Sequence, residues 1–303
     1  YMSIALQVAL VMVTILVVLL VIGAPIGVAI GMSSAVSMIC MIPADVSFAT
    51  SAQRIFAGSN SFSLIAIPFF ILAGNIMNNG GIATRLVNCA KVISGRMPGA
   101  LAQSNVVANM LFGAISGSGA AAAAAMGGTI GPLEEKEGYD KNYSTAVNVA
   151  SAPVGMLIPP SNTMIVYSSV AGSVSIAALF MAGYIPGLLW GGAVMILAGI
   201  MAKKRGYQAE QRVPVKVALK TFWQAIPSLL LIVIVIGGIL GGIFTATEGS
   251  AIAVVYATVL SLIYKAFKIK DIPRIVLEAA KTTGIITFMI GLSSIMSWAM
   301  AFT

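Results

Sequence analysis

The sequence predicts an all-α polytopic membrane protein with a re-entrant hairpin and a broken helix near its middle. Three observations carry this. Apolar residues make up 59% of the chain and charged residues 9%, the mean hydropathy is +1.00, and several apolar runs reach the ~20 residues that a bilayer crossing needs. Two polar breaks, Ser116-Gly117-Ser118-Gly119 and Ile158-Pro159-Pro160-Ser161-Asn162-Thr163, interrupt this apolar sequence. Unpaired backbone groups are expensive in lipid, so irregular chain at membrane depth persists only where protein, water or a ligand satisfies it. Two such breaks close together point to a ligand site.

Composition also excludes. The net charge of +8 comes from Lys and Arg placed between apolar runs, as membrane topology signals are, and not along one face as in a nucleic-acid binder. There is no His, and Cys40 and Cys89 have neither metal-ligand spacing nor a disulfide framework. Zinc, haem and His-based catalysis therefore fall away. The chain opens at Tyr1, which reads as a processed product, an excised piece or half of a fusion. Residues 3–22 form a full-length span and not a cleavable signal.

The elements follow in order. The first span is 3–22, ending at Gly23-Ala24-Pro25; the second is 26–42, ending at Pro43; the third is 56–78, with Pro68 inside it. A basic link with Arg85, Lys91 and Arg96 follows. It reads as a surface helix with Ile82, Leu86 and Ile93 on one interfacial face.

Residues 100–133 are too long for one crossing. A continuous helix would rise about 50 Å at ~1.5 Å per residue, well past a ~30 Å hydrocarbon core, while each half alone rises only ~20 Å. A hairpin re-entering at Ser116 to Gly119 resolves the conflict. Asn105 and Asn109, four apart, share a face of its first half. The alanines of 120–125 read as helix packing alone.

A broken span covers 143–171. Pro159 and Pro160 have no amide hydrogen, which leaves the carbonyls of Gly155 and Met156 without helical partners, and Ser161 or Asn162 can cap a second half-helix. The alternative is a plain proline kink. Spans at 175–202, 225–244, 249–264 and 283–302 complete the chain. The longest basic loop holds Lys203, Lys204, Arg205, Arg212, Lys216 and Lys220. With that loop in the cytoplasm, the charged links 85–96, 134–141 and 265–281 fall there too, and the hairpin enters from that side. Arg54 is then the basic residue left outside.

A weak internal repeat relates 21–27 to 242–248, each a Gly-bearing turn between long spans, and pairs 56–78 with 283–302. An odd number of crossings separates the copies, so they are inverted, which is the arrangement of secondary transporters. The expected organisation is first-repeat scaffold helices over 1–99, a transport element over 100–171, a connecting helix and basic loop over 172–224, and an incomplete second repeat over 225–303. The hairpin and broken helix would move together against the scaffold.

Residues 112–119 (FGAISGSG), Gly138-Tyr139 after an acidic turn, 158–161 (IPPS) and 182–187 (AGYIPG) resemble the large membrane subunit of tripartite ATP-independent periplasmic (TRAP) transporters, the DctM-like family. The resemblance spans essentially the whole chain. It implies sodium-driven uptake of an organic acid in the bacterial cytoplasmic membrane by an elevator-like slide. It also implies a periplasmic substrate-binding protein and a small four-helix membrane subunit, separate or fused, as partners. Family members continue past Thr303 into a second hairpin and proline break. The Ser161-Asn162-Thr163 form of the break looks most like the sialic-acid branch. One departure stands out: the family often carries an Asp just after the hairpin tip, where this chain has Ala121 and Ala122.

Residue chemistry and resemblance meet at mechanism. Sodium is expected between the two breaks, on neutral oxygens of Ser116, Gly117, Ser118, Gly155, Met156 and Asn162. The positive half-helix ends after Gly119 and Pro160 suit a carboxylate substrate, placing Gly119, Ser161, Asn162 and Thr163 beside it. A sodium-coupled carboxylate symporter that needs no binding protein shares this logic, and an ion channel is a more distant alternative. An enzyme is disfavoured because Ser116 and Ser118 have no His and the acids lie nearly all in loops. Glu248 reads as solvated, and Trp190, Trp223 and Trp298 as packing or interface anchors.

Overall fold

The computed structural model describes residues 4–172, 174–207, 214–266 and 268–302. Tyr1, Ser3, Arg212 and Thr303, used in the sequence reading, lie outside them. Among the described residues the secondary structure is helical and no strand occurs. Among the described residues six helices are long and apolar enough to cross a membrane, or seven if one bent pair counts as a span. Two compact units form, residues 1–64 with 280–303, and residues 65–279.

In the first unit, α1 (Ile4–Val21) turns at Gly23, whose φ of +89° suits a residue without a side chain, into α2 (Ile26–Met38). Pro25 and Pro43 stand just before α2 and α3 (Ala44–Ser59), where a missing amide hydrogen breaks no helical bond. The Ser47 hydroxyl donates to the Ala35 carbonyl at 2.7 Å and ties α3 to α2. Val8, Met12 and Met38 pack with Leu292, Ile295 and Ala299 of α15 (Ile272–Phe302).

This unit corrects two expectations. The second span is a helix of 13 residues, which rises only about 20 Å against a ~30 Å core. The third does not begin at 56, because 56–59 close α3, a helix the hydropathy pattern missed. The chain restarts in a short 3-10 turn, Phe62–Ile65.

The second unit contains α4 (Ala66–Asn79), α5 (Ile82–Ser94), α6 (Ala100–Ser116), α7 (Gly119–Thr129), α8 (Gly131–Lys136), α9 (Lys141–Ser151), α10 (Val154–Leu157), α11 (Asn162–Ala171), α12 (Ile176–Lys204), α13 (Val215–Leu240) and α14 (Ala246–Ile263). Pro68 lies in the first turn of α4 and does not kink it. Helix α4 runs along α14, and α5 packs against both α6 and α13. The Gln103 amide donates to the Met195 carbonyl at 2.8 Å and the Tyr143 hydroxyl to the Ala198 carbonyl at 2.8 Å, pinning α6 and α9 to α12.

Helix α5 is therefore not a surface helix. Ile82 and Leu86 are buried, and Ile93 of the predicted common face is exposed near the helix end. Arg85 stacks over the Tyr264 ring at 3.4 Å from its centroid, which lets a basic residue sit against the packed side. Two basic links are also shorter than expected. Lys216 and Lys220 belong to α13, and Arg274 and Lys281 to α15, because Lys and Arg are good helix formers and extend a helix beyond its apolar stretch. Glu248 closes a capping box with Thr245 at the start of α14.

Candidate functional site

The hairpin is α6 and α7, packed against each other and joined at the tip. Helix α6 ends because Gly117 adopts φ +62°, with its amide donating to the Gly113 carbonyl at 2.8 Å. Ser118 begins α7 as an N-cap, its hydroxyl accepting from the Ala121 amide at 3.3 Å. The Ser118 amide in turn donates to the Ser116 hydroxyl at 3.4 Å. The tip is buried except at Ser118, which is half-buried.

The broken span is α9, α10 and α11, bent by 47° between Lys141–Leu157 and Asn162–Ala171. Its first half is itself interrupted at Ala152-Pro153, a break that the sequence reading did not separate from the Pro159-Pro160 one. The Pro159-Pro160 peptide bond is cis. Ser161 caps α11, accepting from the Met164 amide at 3.4 Å, and its hydroxyl donates to the Met156 carbonyl. That carbonyl, without a helical partner as the prolines require, is thus satisfied from within the break.

The two breaks meet. The Asn162 amide donates to the Gly117 carbonyl at 3.3 Å. A methyl added to Gly117 would stand 3.0 Å from the Pro160 carbonyl oxygen and 3.1 Å from the Asn162 nitrogen. Below this junction Gly113 and Gly155 touch backbone to backbone, so that a methyl on either would overlap the other's Cα. A methyl on Gly119 would lie 3.0 Å from the Ala152 carbonyl oxygen, and one on Gly74 of α4 3.1 Å from the Ser116 Cβ. Small residues here serve close approach of main chains.

The structure thus brings Ser116, Gly117, Ser118 and Asn162 to one junction, with Gly119 and Ser161 at its sides, whereas Gly155 stands below it against Gly113. Thr163 is exposed on α11, and the Met156 side chain is 38% exposed. The Asn162 side-chain oxygen is buried with no hydrogen-bond partner among protein atoms. It lies beside Gly117, whose carbonyl accepts from the Asn162 amide, and a buried neutral acceptor without a partner is costly. Among the described residues no group of three or more His, Cys, Asp or Glu is placed to hold a metal ion.

Gly74 and Gly113 went unassigned in the sequence reading. Gly113 lies inside the FGAISGSG stretch, which was a signal; nothing local marked Gly74.

Residues 13–303 match the family described as tripartite ATP-independent periplasmic transporter, DctM component. The chain belongs to this family. It is 51% identical over 268 residues to YgiK of Salmonella typhimurium, covering 88% of this chain and 62% of that one. It is 36% identical over 266 residues to the C4-dicarboxylate TRAP transporter large permease protein DctM of Rhodobacter capsulatus, covering 83% and 60%. With the sialic acid TRAP transporter large permease protein SiaM of Vibrio cholerae it shares 37% over 256 residues, covering 83% and 59%. The chain therefore spans about three-fifths of the length of these relatives. Family and helices together make it a multi-pass protein of the bacterial inner membrane, and the latter two relatives are named as permeases, not enzymes.

Outside the spans, the charged groups after the hairpin are structured. Asp140 caps α9 through the Tyr143 amide at 2.9 Å and pairs with Arg205 at 3.1 Å. That amide first, and Arg205 with it, hold the Asp140 carboxyl below its ordinary range. Glu134, within the charged link 134–141, is 1% exposed.

Proposed function

We propose that the protein of which this chain is part carries out sodium-coupled secondary uptake of an organic acid. The acid is received from a periplasmic substrate-binding protein, with a small membrane subunit packed beside this one. The observation that supports it most is the junction of hairpin tip and proline break around the unpartnered Asn162 oxygen. Sodium is placed there on Asn162, Ser116, Ser118 and the carbonyls of Gly117 and Gly155. The carbonyl of Met156, already taken by Ser161, serves only through its second lone pair. The acid's carboxylate is placed at the starts of α7 and α11, near Gly119, Ser161, Asn162 and Thr163.

Within organic acids the reading is sialic acid, on the Ser161-Asn162-Thr163 form of the break. The relatives named for C4-dicarboxylates stand at 36%, 37% and 42% identity and the one named for sialic acid at 37%, so overall similarity does not favour sialic acid and the reading rests on the break alone. The hairpin and the broken helix move together against the outer spans, entering from the cytoplasmic side. A cross-linker holding residues 100–171 to the first-repeat helices should stop uptake; undiminished uptake counts against the slide.

The test is uptake of labelled sialic acid and of a C4-dicarboxylate into proteoliposomes holding the complete membrane complex, with and without an inward sodium gradient and the binding protein. Sialic acid uptake that needs both is expected. Uptake driven by sodium without the binding protein would make this a simpler symporter, and C4-dicarboxylate uptake alone would reassign the substrate.

A further inference from the structure

At the opposite end of the hairpin from its tip, α6, α7, α8 and α9 line an open cavity of about 340 Å³. Its inner wall carries Asn105, Glu134, Ser144 and Asn148, and Glu135 and Lys141 stand at its rim. Asn105, Glu134 and Ser144 are 1%, 1% and 8% exposed. The Glu134 Oε1, the Ser144 hydroxyl and the Asn105 side-chain nitrogen each have no hydrogen-bond partner among protein atoms. Glu134 forms no ion pair among the described residues, since the pairs there are Arg205 with Asp140 and Arg274 with Glu278.

A buried carboxylate without a compensating charge is a strongly unfavourable arrangement, and proteins resolve it with a cation or a proton. Ser144 and Asn105 face the carboxylate closely enough to act on it as neutral donors, and neither brings the charge that it lacks. The space admits an ion with part of its hydration shell. The wall is also continuous with an ordered polar ladder: the Asn109 amide nitrogen stands 2.9 Å from the Asn105 side-chain oxygen, 3.0 Å from that of Asn148 and 2.8 Å from that of Ser151, its two hydrogens shared among the three, and the Asn148 amide donates to the Ala123 carbonyl at 2.9 Å. This ladder crosses from α6 to α9 and α7, so a charge at Glu134 sits on the framework that holds the hairpin together.

We propose that this cavity is a second cation site, in which the Glu134 carboxylate and the Ser144 hydroxyl hold a partly hydrated alkali cation at the base of the hairpin. It is separate from the junction at the tip and stands whether or not that junction binds sodium. Glu135 and Lys141 at the rim offset one another, which leaves the single Glu134 charge for a monovalent ion to neutralise. Burial raises the Glu134 carboxyl, with the side chains of Ser144 and Asn105 opposing the rise.

The experiment is equilibrium binding of radioactive sodium to the purified complete transporter at pH 8, for the wild type, Glu134→Gln, Ser144→Ala and the tip variant Asn162→Ala. Glu134→Gln keeps the shape of the side chain and should lower the bound sodium by one ion per chain. Ser144→Ala should weaken that same ion several-fold, and Asn162→Ala should leave it in place. Sodium binding by Glu134→Gln equal to wild type in number and affinity would overturn the site. Should Glu134→Gln not fold, unchanged binding in Ser144→Ala would overturn it equally.

Discussion

The amide of Asn162 donates to the carbonyl of Gly117 at 3.3 Å, joining the start of α11 to the end of α6 across two breaks 45 residues apart. Gly117 makes this possible twice over, through its φ of +62° and through the absence of a side chain facing Pro160. Gly117→Ala should therefore lose about 1–2 kcal/mol to the left-handed backbone alone, with crowding against the Pro160 carbonyl adding to it. Thermal denaturation of the detergent-solubilised transporter reads the loss; an unchanged midpoint would mean that the tip is not held as described.

Gly113 and Gly155 present a sharper steric case, because their main chains touch. Either residue changed to Ala should cost about 1–3 kcal/mol by overpacking. The double variant should lose less than the sum, since one separation of α6 from α10 relieves both methyls. Strict additivity in unfolding midpoints would argue that the helices do not meet there.

The legible part of this architecture was the part with an unusual local signal. Hydropathy marked the long helices, the SGSG run and the double proline marked the breaks, and a hairpin was the way to fit 34 residues between flanks on one side. Helix α3 was invisible because Ala44–Ser59 mixes polar and apolar residues without a span-like run, and α2 was overextended because the apolar sequence continues past Met38 into a turn. Glu134 gave no local signal either: in Gly131–Lys136 it stands beside the exposed Glu135 and Lys136, and only the fold turns one of the two carboxylates inward. That the Asn162 oxygen is left unpartnered is a tertiary fact with no sequence signature.

Asp140 links pH to the stability of the α9 start. Its carboxyl is held below its ordinary value of 3.8 by the Tyr143 amide, with Arg205 assisting. A lowered folded-state value means that the stabilisation is fully present above the unfolded value and is lost as the pH falls through the folded one. Asp140→Asn should accordingly be less stable than wild type at pH 7, and the difference should shrink as the pH drops below about 4. A difference that persists at pH 3 would assign the effect to packing and not to charge.

Orientation is open to chemical labelling. In a background without Cys40 and Cys89, Lys136→Cys and Lys204→Cys should react with an impermeant maleimide only from the cytoplasmic side, and Arg54→Cys only from the other. Labelling of position 136 from outside would reverse the hairpin's entry.

The central claim is that an ion is held where the tip meets the proline break, and the most direct measurement is the sodium dependence of uptake in Asn162→Ala and Ser118→Ala, made in the complete transporter. Asn162→Ala keeps the backbone bond to Gly117 and removes the unpartnered oxygen. The account predicts that the sodium concentration for half-maximal uptake rises at least about tenfold in each variant, about 1.4 kcal/mol of ion binding. Uptake with the wild-type sodium dependence in both would contradict it.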